Sequence, residues 1–297
     1  MKVKQIILTL WTVVTVQILS FLWAPLSQGQ TLSPFTSNGN NKVVVSDSSK
    51  AADANLGLND TVTLEKTIYY PRRIPNSSFR VGEKLTFLIR WGPLHAGTAV
   101  MEIPEITRVQ NRKVYRVVSR AESNSFFSTF YKVRDRAESF IDIEGIFSWR
   151  FEKHLREGKF KADVIEIYDQ KRNLVITRKD TVQAPPFVQD VLSALYYVRT
   201  QDLIVGTSIA VDNYASGKIY PLEVKVLRRE RVKVPAGVFD CIVVKPILKS
   251  TGIFQQKGSL KVWLTDDRRR MPVLMKSEIV IGSIVAELTD YKGVVND

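Results

Sequence analysis

The 297-residue chain reads as mainly β, a large curled antiparallel sheet or open barrel with one amphipathic helix packed on it. Three observations predict this class. Apolar and polar residues alternate through many short segments, turn residues separate those segments at short intervals, and a single segment replaces the period of two with a helical one.

The alternation is clearest along Val81, Glu83, Leu85, Phe87, Ile89 and Trp91, where Lys84, Thr86 and Arg90 mark the opposite parity. Gly92-Pro93 ends that strand, and after His95-Ala96-Gly97 the parity resumes at Ala99, Met101 and Ile103, which predicts a hairpin with a glycine-containing loop. Further strand runs follow at 114–121, 147–155, 161–168 and 174–182. In the last third the runs are 222–226, 238–244, 260–264, 273–281 and 284–288. Glu144-Gly145, Glu157-Gly158, Ser216-Gly217, Pro235-Ala236-Gly237, Thr265-Asp266-Asp267 and Ile281-Gly282-Ser283 supply the turns. So many short strands imply a sheet that curls or closes to manage its edges. The exception follows Pro185-Pro186: Val188, Val191, Leu192, Leu195, Tyr196 and Arg199 fall on one helical stripe, predicting a helix over 187–200 with Asp190 near its positive end.

Ahead of the domain, Lys2 and Lys4 precede an apolar run from Ile6 to Trp23, and Ser27 and Gly29 form a small-x-small site. Residues 1–29 therefore read as a signal peptide cleaved after Gly29, the alternative being a retained N-terminal membrane anchor, because the run approaches the roughly 20 residues that span a bilayer. Either reading puts the remainder in the periplasm or outside the cell. Residues 30–67, rich in Ser, Asn, Asp and Thr, read as a flexible linker, and 68–297 as one β-rich domain.

Cys241 is the only cysteine, so no intrachain disulfide, zinc cluster or Cys-x-x-Cys pair is available. Its β-branched surroundings suit a thiol packed as a small hydrophobe. The net charge of +13, less the two charges of Lys2 and Lys4, gives +11 for the mature chain. An exported protein this basic is drawn to anionic lipid, lipopolysaccharide or acidic glycan, the plainer reading being scattered solvation. Nucleic acid is a poor match for an exported chain.

Gly82-Glu83-Lys84-Leu85, Trp91-Gly92, Ala96-Gly97, Val133-Arg134-Asp135, the run Gln189 to Tyr197, Val234-Pro235-Ala236-Gly237 and Val262-Trp263-Leu264-Thr265-Asp266-Asp267 occur in that order. Over about Arg80 to Gly293 the set resembles a bacterial exported family catalogued as domain of unknown function 3108. The resemblance implies a secreted or periplasmic β-rich domain without an established reaction, and it carries over no catalytic residues. The curled-sheet lipoprotein carriers of the periplasm offer a similar plan, by analogy of fold only.

Six residues are the binding candidates. Trp91 and Tyr197 lead because they lie in the hairpin and helix segments, and with Trp263 they could contact an acyl chain or stack on a sugar if they face the concave side; otherwise they pack the core. His95 sits in the predicted loop, while Asp135, between Arg134 and Arg136, and Asp190, at the helix start, are carboxylates with ion-pairing and capping as their plainer roles. Asp135 with Glu138 would be the pair for a carbohydrate-active enzyme. The two histidines, His95 and His154, are far apart in sequence and no His-Glu-x-x-His, Gly-x-Ser-x-Gly, P-loop or dinucleotide fingerprint occurs, so no metal or cofactor is expected. The expectation is a non-enzymatic envelope protein that binds an amphipathic or glycan ligand, with an interaction scaffold for envelope proteins and a carboxylate-dependent enzyme as alternatives.

Overall fold

The computed structural model describes residues 72–215, 217–248, 259–278 and 282–296; the predicted leader and linker lie outside the described residues. Among the described residues, fourteen strands form one antiparallel sheet. In chain order they are β1 (Lys84–Trp91), β2 (Leu94–Val109), β3 (Arg112–Ser123), β4 (Arg134–Asp142), β5 (Ser148–Glu157), β6 (Phe160–Asp169), β7 (Leu174–Thr177) and β8 (Thr181–Gln183), then β9 (Ser208–Ala215), β10 (Lys218–Val234), β11 (Gly237–Leu248), β12 (Ser259–Thr265), β13 (Pro272–Glu278) and β14 (Ser283–Lys292). A six-residue helix, α1 (Ser125–Phe130), joins β3 to β4, and α2 (Val191–Arg199) lies between β8 and β9.

Two meanders build the sheet. One runs outward from β1 to β8, the other inward from β9 to β14, and β14 pairs with β1 at the centre. The sheet is not closed: β8 and β9 are its edges. It curls enough for the Tyr168 ring on β6 to meet the Tyr214 ring on β9 edge-to-face, with centroids 6.1 Å apart. The segment leading into α2 also pairs with β9 through a parallel bridge between Gln189 and Asn213. A helix that joins the two edges in sequence thus lies between the two wings in space.

Antiparallel order puts alternate turns at opposite ends. The β1–β2 turn, α1 and the β5–β6 turn share one end, here the rim; the β4–β5, β6–β7 and β12–β13 turns share the other, the base. The contacts of α2 run to the base. Gln189 Nε2 donates to the Ile146 carbonyl at 2.8 Å, and Gln170 Nε2 reaches the Val188 carbonyl at 3.3 Å. At the far end of the helix, Arg199 forms a bidentate pair with Glu83 at 2.6 and 2.7 Å and also donates to the Arg269 carbonyl at 3.2 Å. Both partners of this ion pair are fully buried. Phe79 packs edge-to-face on Tyr196, and Leu192, Tyr196 and Val198 join the apolar core formed by Leu85, Phe87 and Ile89 of β1 with Met101 and Ile103 of β2. The helix therefore closes the base of the curled sheet.

Local chemistry fixes the helix ends. Phe187 adopts a positive φ of 60°, so the helix starts at Val191 rather than Phe187, with Asp190 as its cap. The Asp190 carboxylate accepts from the backbone N–H groups of Leu192 and Ser193, and Ser193 Oγ accepts from the Asp190 N–H, a reciprocal capping box. The first hairpin is tighter than the sequence suggests. Only Gly92-Pro93 turns, His95 is already in β2, and a register shift opposite Ile89–Arg90 absorbs Ala96. Gly97 is required by close approach, because a Cβ there would stand 2.1 Å from the Glu122 carbonyl oxygen of β3.

Candidate functional site

The concave face of β4, β5 and β6 carries a cluster of ionisable side chains. The Ser139 hydroxyl donates to Asp190 of the helix cap at 2.6 Å, which identifies the inward parity of β4 as Asp135, Ala137, Ser139 and Ile141. Across the ladder Ala137 opposes Lys153 and Ser139 opposes Phe151, while Phe151 opposes Glu166. Lys153, Glu166 and Tyr168 consequently share the face with Asp135, and Glu157 continues the Lys153 parity toward the rim. All are buried. Tyr168 donates to Glu166 at 2.8 Å, Asp135 accepts from the Arg156 backbone N–H at 2.8 Å, and the Tyr131 hydroxyl stands 3.5 Å from Glu157.

The surroundings set the charges. Burial pushes the Glu166 carboxyl up to about 7, with Asp190 adding to the rise and the Tyr168 hydrogen bond and Lys153 charge opposing it. Burial also lowers Lys153, against the pull of Glu166, Asp135 and Glu157. Asp190 is raised by burial in spite of its hydrogen bonds from Ser139 and the helix N-terminus. Tyr214, facing the same group from β9, is pushed up to about 12 by burial and then by Glu166. The cluster thus sets an amine among several carboxyl groups, of which Glu166 is poised near neutrality to donate or accept a proton.

Comparison with Asp142 shows what a purely architectural carboxylate looks like in this fold. Asp142 accepts from Arg112 twice, from the backbone N–H groups of Glu144 and Gly145, and from the Trp149 indole, all at 2.8–3.1 Å. It pins the β4–β5 turn at the base.

Of the six predicted candidates, the structure brings Asp135 into this cluster and Asp190 to its helical border. Trp91 ends β1 at the rim, partly buried against the core, and His95 is exposed beside it, its carbonyl accepting from Asn124 Nδ2 at 2.6 Å. Tyr197 is partly buried and lies under the Arg72 guanidinium, 4.5 Å from ring centroid to Cζ. Trp263 is buried on β12, paired opposite Val243 and Leu274, away from β4–β6 in the ladder. Asp135 and Glu138 do not form a pair: they have opposite parity on β4, and Glu138 is held on the other face by Arg116 at 2.7 Å and Arg136 at 2.5 Å. Among the described residues no group of three or more His, Cys, Asp or Glu side chains is placed to hold a metal ion.

Lys153, Glu157, Glu166 and Tyr168 were not among the candidates. Their signal is present in the sequence. Lys153 and Glu157 share parity with Phe151 and Leu155, and Glu166 shares it with Val164 and Tyr168, so each puts a charge on the apolar side of its strand.

A family model described as a protein of unknown function, DUF3108, matches residues 86–289. Among solved structures, the chain is similar to a β-barrel-like protein of a domain of unknown function, DUF1849, from Brucella abortus, with a TM-score of 0.50 at 9% identity, covering 76% of this chain and 100% of that one. A Bacteroides fragilis protein described as exported, with a YmcC-like fold, matches at 10% identity over 74% of this chain and 99% of its own, with a TM-score of 0.28. A Parabacteroides distasonis protein described as a lipoprotein matches at 9% identity over 75% and 100%, with a TM-score of 0.29. Among curated proteins none matches the sequence. The first structure supports the open-barrel fold; the other two scores are too low to add to it. Among the described residues no helix is long and apolar enough to cross a membrane.

Proposed function

We propose, from the premise that the chain belongs to the DUF3108 family of proteins of unknown function, that it is an exported cell-envelope protein that binds an amphipathic ligand without transforming it. The N-terminal leader supports export to the periplasm or beyond. The observation that carries the binding reading is the cluster of Asp135, Lys153, Glu157 and Glu166 on the concave face, above a helix that closes the base. Burying charge is costly, and a sheet interior with no task beyond packing is better served by apolar side chains. A polar head group would exchange hydrogen bonds with Lys153, Glu166 and Tyr168, while an acyl portion would lie along the apolar positions of the same strands, such as Val164 and Leu155.

Native mass spectrometry of the exported protein, purified without detergent, tests this. The expected result is a protein ion carrying a small amphiphile that organic extraction removes, and reduced carriage by Lys153→Met. A parent protein that carries nothing, before or after incubation with an envelope lipid extract, would sink the reading.

The low exposure of these same groups favours a second reading, in which they form a structural network inside an interaction scaffold. That reading predicts that Lys153→Met with Glu166→Leu, folded as the parent is, retains its crosslinked envelope partners.

A further inference from the structure

The rim presents a surface that the interior cluster does not explain. On α1, Phe126 and Phe130 are four residues apart and so share one helical face, but it is the outward one: they are 62% and 48% exposed, while Phe127, next to Phe126 around the helix, turns inward and is buried. The two exposed rings pack edge-to-face at 5.7 Å. The helix is fixed in this pose. Asn124 caps it by accepting from the Phe127 N–H at 2.9 Å and ties it to β2 through the His95 and Ala96 carbonyls. Beyond the helix, Lys132 and Arg134 are exposed, and the Gly158 N–H donates to the Lys132 carbonyl at 2.8 Å, bringing the β5–β6 hairpin with Lys159 and Lys161 alongside. Among the described residues none of these four cations forms an ion pair. The nearby acidic groups are Glu122, opposite Arg134 in the ladder, and Asp163, which is held by His154 and Arg156.

We propose that this rim docks on an anionic lipid surface, with Phe126 and Phe130 entering the interface and Lys132, Arg134, Lys159 and Lys161 facing lipid phosphates. Paired aromatic side chains that project from a rigid support, flanked by unpaired cations, match the two attractions of a charged bilayer, apolar insertion and electrostatic adsorption. Charge complementarity selects lipid over an apolar protein partner. The inference stands apart from the interior ligand: it concerns the outside of the rim and holds whether or not the concave face carries a guest.

Cosedimentation of the exported protein with vesicles of phosphatidylglycerol and phosphatidylcholine tests it. The account expects binding that weakens with added salt and is lost on pure phosphatidylcholine. Phe126→Ser with Phe130→Ser should weaken it by about tenfold, and Lys132→Gln with Lys159→Gln to a similar degree, all with unchanged circular dichroism and thermal midpoint. Absence of parent binding to phosphatidylglycerol vesicles would overturn the proposal, as would full binding by the Phe126/Phe130 variant. A parent that ignores vesicles but loses an envelope-protein crosslink on the same substitutions would also overturn it, in favour of a protein partner.

Discussion

Glu166 is the residue on which the interior chemistry turns, since its carboxyl is pushed from about 4.5 up to about 7 by burial while its neighbour Tyr168 donates to it. The sign of its effect on stability follows from proton counting. Between these two values the folded state binds the proton more tightly than the unfolded chain, so this group's contribution falls as pH rises through that window and is constant above it. With a tenfold change in proton affinity worth about 1.4 kcal/mol, the loss is about 3 kcal/mol. Asp190, also raised, adds in the same direction, whereas the lowered Asp169 and Asp267 lose stability as pH falls, so the difference between two proteins isolates Glu166. Urea unfolding of Glu166→Gln should show it gaining on the parent between pH 4.5 and 7; parallel curves over that range would place the proton elsewhere. Cys241 contributes nothing comparable, because burial pushes its thiol up to about 12 and keeps it in the unreactive protonated form.

At the scale of elements, α2 is the part whose sequence and structure agree most closely, and the reason is local. Its stripe, its cap Asp190 and its basic last-turn Arg199 are all readable within one short window, and each is used as such. Asp190 does more than cap, since its second oxygen accepts from Ser139 of β4 and so fastens the helix to the sheet. Asp190→Asn should keep most of the cap, whereas Asp190→Ala should cost about 2 kcal/mol or somewhat more, a cap plus an orphaned Ser139 hydroxyl. Equal midpoints for the two variants in thermal unfolding would remove the capping account. β4 and β9 were less legible. The run Arg134 to Asp142 puts Asp135, Ala137, Ser139 and Ile141 inward and buries parts of both faces, so no apolar alternation marks it. α1 is too short to show a helical period, and its two exposed phenylalanines run against the usual sense of amphipathic burial. The single predicted run 174–182 is two strands, because residues 178–180 turn between β7 and β8.

Across the whole molecule, what the sequence could not convey is which strand faces which. The alternation of β1 and β2, the turn residues and the helix between two groups of strands predicted the class, but not that the two meanders meet at β1 and β14 with β8 and β9 as edges. That arrangement depends on long-range register, which no local window contains. It explains the gathering of Asp135, Lys153, Glu157 and Glu166, residues up to 31 positions apart, on one concave face. It also gives the two leading segments a shared role: Glu83, just before β1, and Arg199, at the end of α2, form the buried pair that anchors the base closure. The central claim is that the concave face above this closure receives a guest, and photo-crosslinking from neighbouring positions of β6 tests it most directly. Val164 opposes Lys153 on the inner parity, and Ile165 lies on the outer one. With benzoylphenylalanine at each position and irradiation of the exported protein in cells, the account predicts a small amphiphile adduct at 164 and none at 165. Equal labelling at both positions, or no adduct at 164 in a correctly folded protein, would contradict it.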